Sequence, residues 1–147
     1  MLQMHSPEQA ATWLRLRVRA QLHSDSRRVQ TGDGFFAWAG QNTDARHHVV
    51  QALQQGASAC LVEADGLEVF EALNDLGLHE APIVSYQGLK AASGAIADAY
   101  FDQPSKQLHL MAVTGTNGKT STAWWLAQAL TRLGQRCTVV GTLGLGE

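Results

Sequence analysis

Apolar positions recur along this chain with two different periods, and the alternation between them predicts the fold. Near the N-terminus a helical spacing predicts a first helix that continues to about Leu22. Its apolar positions are Ala10, Trp13, Leu14, Leu16 and Val18. Ser6 is a natural N-cap for this helix, Pro7 suits its first position, and Gln9 stands where a capping box places its polar partner.

Short apolar runs then alternate with helical patterns. The runs predict strands at 35–39, 59–62 and 82–86. The helical patterns predict a helix from the Asp44 cap to Gly56 and further helices at 67–76 and 89–101. Because strands and helices alternate at this spacing, the sequence predicts an α/β layer with a largely parallel sheet.

The segment from Gln103 to Lys106 is polar and contains a proline, so we place a domain boundary there, between 1–104 and 105–147. Beyond it, an apolar run at 108–113, a glycine loop, a helix and a second run at 136–140 predict a single βαβ unit. This unit is expected to open a P-loop ATPase domain with a parallel sheet. Two strands and one helix cannot bury both faces of a sheet, so we expect this domain to be truncated here.

Composition narrows the functional classes. A formal charge of −2 argues against a nucleic-acid binder that works by bulk electrostatics. No basic segment followed by an apolar run opens the chain, and no apolar stretch has the length of a membrane span, so we expect a cytoplasmic protein with no membrane partner. Cys60 and Cys137 are interpreted as small buried residues. His47 and His48 are adjacent on a helix, point about 100° apart, and make a poor metal pair.

The candidate chemistry lies in the glycine loop between the predicted strand and helix. Its pattern is G-x-x-G-K-T, with Val113 standing where the longer phosphate-loop pattern has a glycine. Glycines allow backbone N–H groups to approach a phosphate, Lys119 adds a positive charge, and the Thr120 hydroxyl is placed to bind Mg²⁺. The predicted nucleotide-binding residues are Gly115, Thr116, Asn117, Gly118, Lys119, Thr120 and Ser121. The alternative is a glycine-rich turn that contains a lysine by chance.

The loop Thr114–Thr120 resembles the ATP loop of the Mur ligases and of the related folylpolyglutamate synthetases. The turn Asp25-Ser26-Arg27 and the strand at 35–39 are similar to the first domain of the Mur enzymes that add the third and fifth peptide residues. The stretch Gly141–Gly144 is similar to the enzyme that adds the third residue. Together these motifs identify the chain with the N-terminal portion of a Mur ligase.

The resemblance implies that the first domain holds the UDP end of the substrate. The matching positions are Ser24, Ser26, Gln41, Asn42 and Thr43. Hydroxyl and amide side chains at strand ends can hydrogen-bond uracil, ribose and diphosphate. The alternatives are an ordinary capping turn for the serines and a solvated loop for 41–43. Family members commonly have Asp-Gly after this loop, whereas Ala45 follows Asp44 here.

The implied reaction is an ATP-driven amide ligation of peptidoglycan precursor synthesis, with ATP and Mg²⁺ as cofactors. The free carboxylate of UDP-MurNAc-L-Ala-D-Glu would accept the γ-phosphoryl group, and the amine of a diamino acid would displace phosphate from the resulting acyl phosphate. Lys119 is the implied catalytic residue. The diamino acid, meso-diaminopimelate or L-lysine, stays open, and the fragment alone is expected to be inactive. The alternatives are a ligase that adds D-Ala-D-Ala, a folylpolyglutamate synthetase, and a non-catalytic nucleotide-binding module.

Overall fold

A computed structural model describes residues 1–41, 43–70, 82–141 and 144–146. The chain divides into two compact units, Met1–Gln107 and Leu108–Glu147. The assignment of a UDP-binding domain to 1–104 and an ATP-binding domain to 105–147 stays a prediction.

The first unit is built on a five-stranded sheet in which every neighbouring pair is parallel. Its strands are β1 (Gln3–Met4), β2 (Leu22–His23), β3 (Gly34–Ala37), β4 (Ala59–Glu63) and β5 (Ile83–Tyr86), in the order β1-β5-β4-β3-β2. The largely parallel sheet of an α/β layer is therefore confirmed. The sequence did not predict the two edge strands, because two residues are too few to show a period.

Helices cover both faces of this sheet. They are α1 (Pro7–Arg15), α2 (Val49–Gln54) and α3 (Leu89–Tyr100), with short 3₁₀ turns at Ser26–Arg28, Ala45–His48, Leu67–Val69 and Pro104–Gln107. One apolar cluster joins α1 and α3 to one face through Leu14, Leu61 and Ile96. A second cluster joins α2 to the other face through Val49, Phe35 and Cys60. Alternate residues of β3 and β4 therefore serve opposite faces, as the pleat requires.

The first helix is shorter than the sequence predicts. It ends at Arg15, and Leu16, predicted to face inward, is 70% exposed. The Leu14 carbonyl accepts hydrogen bonds from the N–H groups of both Arg17 and Val18, and this closes the helix with a turn. The prediction of a helix to Leu22 is wrong because Leu22 pairs with Gly34 in the sheet.

The cap of α1 is confirmed in its main part. Ser6 Oγ accepts the N–H of Gln9 at 3.2 Å, and Pro7 occupies the first helical position. The Gln9 side chain accepts from the N–H of His5, at 3.1 Å, one residue earlier than in the usual capping box. Of the helix predicted at 67–76, the structure has the 3₁₀ turn Leu67–Val69, and residues 71–76 lie outside the described part.

The second unit differs from the predicted βαβ. Its helix α4 (Lys119–Arg132) forms as predicted, but the apolar run at 108–113 is not a strand, and Leu110 in it is 92% exposed. Strand β6 (Val139–Gly141) pairs antiparallel with β7 (Gly144–Gly146). The parallel βαβ is wrong for the described residues of this unit because the later strand pairs locally instead of with 108–113. Among the described residues, no helix is long and apolar enough to cross a membrane.

Candidate functional site

A cavity of about 470 Å³ opens at one edge of the first unit, where β2 and β3 end. The residues that line it are Ser24, Asp25, Ser26, Arg27, Trp38, Gly40, Thr43, Ala45, His48 and Gln51. The first four follow β2, and the others follow β3. Because β2 and β3 are parallel neighbours, their carboxyl ends meet at the same edge. The carboxyl ends of the strands are the side on which open α/β sheets bind ligands.

The wall that follows β2 is a 3₁₀ turn capped by Asp25. The carboxylate accepts the backbone N–H of Arg27 at 3.1 Å and its Nε and Nη2 at 2.9 and 2.7 Å. The hydrogen bonds from the Arg27 side chain, and then that from its backbone, hold the pKa of Asp25 at about 2. Ser26 is 8% exposed and no hydrogen bond of its hydroxyl is found among the described residues. The turn therefore presents a fixed guanidinium beside an available hydroxyl.

The wall that follows β3 is a tight loop. The N–H of Gly40 donates to the Thr43 carbonyl at 2.9 Å, and the N–H of Ala45 donates to the Trp38 carbonyl at 3.1 Å. A Cβ at Gly40 would lie 2.9 Å from the Thr43 carbonyl oxygen, so this position requires glycine. Asp44, predicted to cap the next helix, caps the 3₁₀ turn that leads into α2 by accepting the N–H of Arg46 at 3.0 Å. Ala45 begins that turn without a positive φ, so no glycine is needed after Asp44.

The structure brings three of the five predicted UDP contacts together. Ser24, Ser26 and Thr43 all line the cavity. Gln41 is exposed and is not one of the lining residues, and Asn42 lies outside the described part. The assignment of these residues to a substrate stays a prediction.

Sequence reasoning missed Trp38, His48 and Gln51 as lining residues. The sequence places Trp38 inside the predicted strand 35–39 and indicates only that His48 makes a poor metal pair with His47. Trp38 is half-buried and follows β3 directly, because the strand ends two residues earlier than the predicted 35–39. Its place near the carboxyl end of the predicted strand is the signal that could have located it. His48 and Gln51 reach the cavity only because α2 starts beside the loop, and no local pattern indicates that.

The glycine loop of the second unit is open to solvent. Residues 114–122 are all exposed, and Gly115 and Gly118 have φ of 144° and 76°. Gly118 precedes α4 without any side-chain cap, so the N–H groups of the first helical turn face outward. The Lys119 ammonium donates to the carbonyls of Gly115 at 2.5 Å and Thr116 at 3.4 Å.

This geometry fits a polyphosphate. The uncapped start of a long helix provides N–H donors and the positive end of the helix dipole, and the lysine lies beside them. Thr120 and Ser121 add exposed hydroxyls in the first turn. An oxygen ligand such as Thr120 suits a hard cation such as Mg²⁺. The roles of Gly115–Ser121 stay predictions.

The cysteines contribute no chemistry to the cavity. Cys60 is buried in the sheet, and burial raises the pKa of its thiol to about 12, so it is not a reactive thiolate at neutral pH. Cys137 is half-buried, which is less than predicted, and both cysteines are free.

Comparison with known proteins gives a consistent set of relatives, although no protein-family model matches the chain. The relatives are UDP-N-acetylmuramoyl-L-alanyl-D-glutamate--2,6-diaminopimelate ligases. The chain is 50% identical over 146 residues to that of Acidovorax sp. (strain JS42), 45% identical over 126 residues to that of Pseudomonas putida, and 43% identical over 143 residues to that of Ralstonia nicotianae. These matches cover 95%, 86% and 91% of this chain but 28%, 24% and 26% of those proteins. The chain therefore spans about a quarter of the length of the relatives.

Proposed function

We propose that this chain belongs to the Mur ligase family and that it forms part of an ATP-dependent ligase that adds 2,6-diaminopimelate to UDP-MurNAc-L-Ala-D-Glu. The observation that carries the proposal is the 50% identity over 95% of the chain, which extends through both units. The names of the relatives specify diaminopimelate, and this favours it over lysine as the diamino acid.

In this proposal the cavity of the first unit holds the nucleotide end of the sugar nucleotide. Ser24, Ser26 and Thr43 provide hydroxyls on two sides of it, and Gln41 and Asn42 belong to the same loop as Thr43. Hydroxyl groups donate and accept, so they can serve ribose oxygens, uracil carbonyls and phosphate oxygens. The aromatic ring of Trp38 offers a surface on which a base can stack.

The loop Gly115–Ser121 is proposed to hold the triphosphate of ATP. Its backbone N–H groups would bind phosphate oxygens, and Lys119 would neutralise their charge. The present partners of Lys119 are neutral carbonyls, which attract an ammonium less than a phosphate does. Mg²⁺, bound in part by Thr120, would add further neutralisation of the transferred group. Catalysis then depends mainly on position and charge.

The test uses the complete polypeptide that carries this chain, with ATP and UDP-MurNAc-L-Ala-D-Glu. Phosphate release is followed while diaminopimelate, lysine and D-Ala-D-Ala are offered in turn. We expect release above background with diaminopimelate. Release only with D-Ala-D-Ala would identify a different Mur ligase, and no release with any of the three would support a non-catalytic binding module.

A further inference from the structure

The first unit contains the same local motif twice, and its two copies have different surroundings. In Asp25-Ser26-Arg27 and in Asp44-Ala45-Arg46, the aspartate caps a 3₁₀ turn by accepting the N–H two residues on. In both, the arginine side chain also returns to the same carboxylate through Nε and Nη2, with an Nη2–Oδ2 distance of 2.7 Å. Local sequence alone therefore does not separate the two arginines.

The second arginine is fully occupied by the fold. The Arg46 guanidinium carbon lies 4.5 Å from the centre of the Phe70 ring, and Nη1 donates to the Asp65 carbonyl. Its side chain is only 9% exposed. Arg46 thus connects the turn after β3 to the turn after β4, and little of its surface is accessible to a ligand.

In the part of the chain that the structure describes, the first arginine, Arg27, is bound only through the Nε–Nη2 edge of its guanidinium, which donates to Asp25. Its side chain is 85% exposed and lines the cavity next to Ser24 and Ser26. A guanidinium has five N–H donors. Asp25 takes two from Arg27, and the three others have no partner among the described residues. The fork with Asp25 fixes the plane of the guanidinium, so an incoming ligand would lose little side-chain entropy.

We propose that Arg27 recognises the diphosphate of the sugar nucleotide and that Asp25 is a positioning residue that orients it. The proposal rests on the proposed function, because it takes the nucleotide end to lie in this cavity. A planar guanidinium matches two phosphate oxygens at once, and the adjacent Ser26 hydroxyl can donate to a third. Arg27 would therefore distinguish a nucleoside diphosphate from a nucleoside and contribute little to recognition of the base.

The alternative is that the Asp25–Arg27 pair only stabilises the turn. The two possibilities predict different effects on the affinity for uridine, a ligand that lacks phosphate. If Arg27 binds the diphosphate, its loss weakens UDP binding and leaves uridine binding unchanged. If Arg27 only supports the turn, its loss weakens the binding of UDP and of uridine together. Ser24 and Ser26 would then move, and their movement would affect both ligands.

The test is an NMR titration of the complete polypeptide that carries this chain with UDP and with uridine at low salt. Arg27→Gln should weaken UDP binding roughly tenfold, the effect of losing one exposed charge-assisted contact, and leave uridine binding within twofold. Arg28→Gln is the matched control, because Arg28 belongs to the same turn, carries the same charge, and does not line the cavity. It should change neither affinity by more than about twofold.

Two further variants test the positioning role. Arg27→Lys keeps the charge but cannot form the planar fork, so it should recover only part of the UDP affinity. Asp25→Asn leaves the arginine in place without its anchor and should weaken UDP binding by several-fold. Uridine binding should stay at the wild-type value in both, so these variants also provide the test if Arg27→Gln does not fold.

The outcomes separate this inference from the proposed function. If the wild type binds UDP and Arg27→Gln binds it equally well, the role of Arg27 is wrong while the nucleotide site stands. The same holds if Arg27→Gln and Arg27→Lys lose UDP binding and uridine binding to the same extent. If Arg28→Gln loses as much UDP affinity as Arg27→Gln, the effect comes from the net positive charge of the turn and not from a specific contact of Arg27, and the inference is wrong. If the wild-type protein binds neither UDP nor uridine, the nucleotide site itself is contradicted, and this inference with it.

Discussion

The start of α3 depends on a carboxylate from a neighbouring strand. Gly88, the residue before the helix, has a φ of 71° and no side chain to cap it. Glu63, at the end of β4, takes that place. Its Oε2 accepts the N–H of Leu89 at 2.7 Å, and its Oε1 accepts those of Gly88 at 2.9 Å and Asp65 at 3.3 Å. The negative charge also lies at the positive end of the helix dipole.

We predict that Glu63→Ala lowers the free energy of unfolding of the first unit by about 2 kcal/mol. Its two short bonds to charged oxygen would each contribute about 1.5–3 kcal/mol if fully buried, and partial exposure reduces their sum. Loss of an N-cap costs about 0.5–2 kcal/mol in other proteins, so the expected value lies at the upper end of that range. Glu63→Gln keeps one acceptor oxygen but loses the charge, so its cost should be about 1 kcal/mol.

The assay is urea unfolding followed by the NMR signals of Leu89 and Ile96, which are fully buried and report the first unit alone. Glu68→Gln is the matched control, because that carboxylate is exposed and makes no hydrogen bond among the described residues. It should change stability by less than about 0.5 kcal/mol. A Glu63→Ala variant as stable as wild type, or a Glu68→Gln variant equally destabilised, would refute the capping argument.

Three further predictions concern the two candidate sites. If the complete polypeptide is the proposed ligase, Lys119→Ala should reduce its ATP-dependent phosphate release roughly hundredfold or more with an unchanged circular dichroism spectrum, and near-normal release would contradict the role proposed for Lys119. Gly40→Ala places a Cβ 2.9 Å from the Thr43 carbonyl oxygen, so UDP binding by NMR titration should weaken; unchanged binding would show that the loop adapts freely. The Asp25 carboxyl, with its pKa held at about 2, should titrate by ¹³C NMR near pH 2 and move toward the ordinary value of about 3.9 in Arg27→Gln. Because this pKa is lowered on folding, the stabilisation by the pair is complete above about pH 4 and is lost as the pH falls through 2; an Asp25 midpoint that is the same in both proteins would contradict the pairing.

The sequence predicted the features that depend on neighbouring residues. The Ser6 cap, the Asp44 cap and the helix after Gly118 are all confirmed, because each needs hydrogen bonds that reach only a few residues along the chain. The strands β3, β4 and β5 were located for a related reason. Each is a run of buried residues long enough to show in the apolar pattern.

The wrong predictions of secondary structure lie where pairing with a strand distant in sequence determines whether a segment is a strand. The sequence presents a helix that continues to Leu22, but α1 ends at Arg15 and Leu22 pairs with Gly34 in the edge strand β2. The run at 108–113 has a strand's composition, yet it is not a strand among the described residues, and β6 pairs with β7 instead. Apolar composition favours a strand, but a strand exists only where a partner lies beside it.

The phosphate-loop motif and the α/β class follow from residue types and spacing, because each depends on short stretches of the chain. The likeness to the Mur ligases rests on the resemblance of such short motifs to that family. The tertiary structure alone decided that Trp38 and His48 share a cavity with the Asp25–Arg27 turn, and that Glu63 caps a helix 26 residues away. It also separated Arg27, exposed at the cavity, from Arg46, buried against Phe70. Hydrogen bonds within one turn are encoded by adjacent residues, whereas the surroundings of a side chain depend on which parallel strands end beside each other.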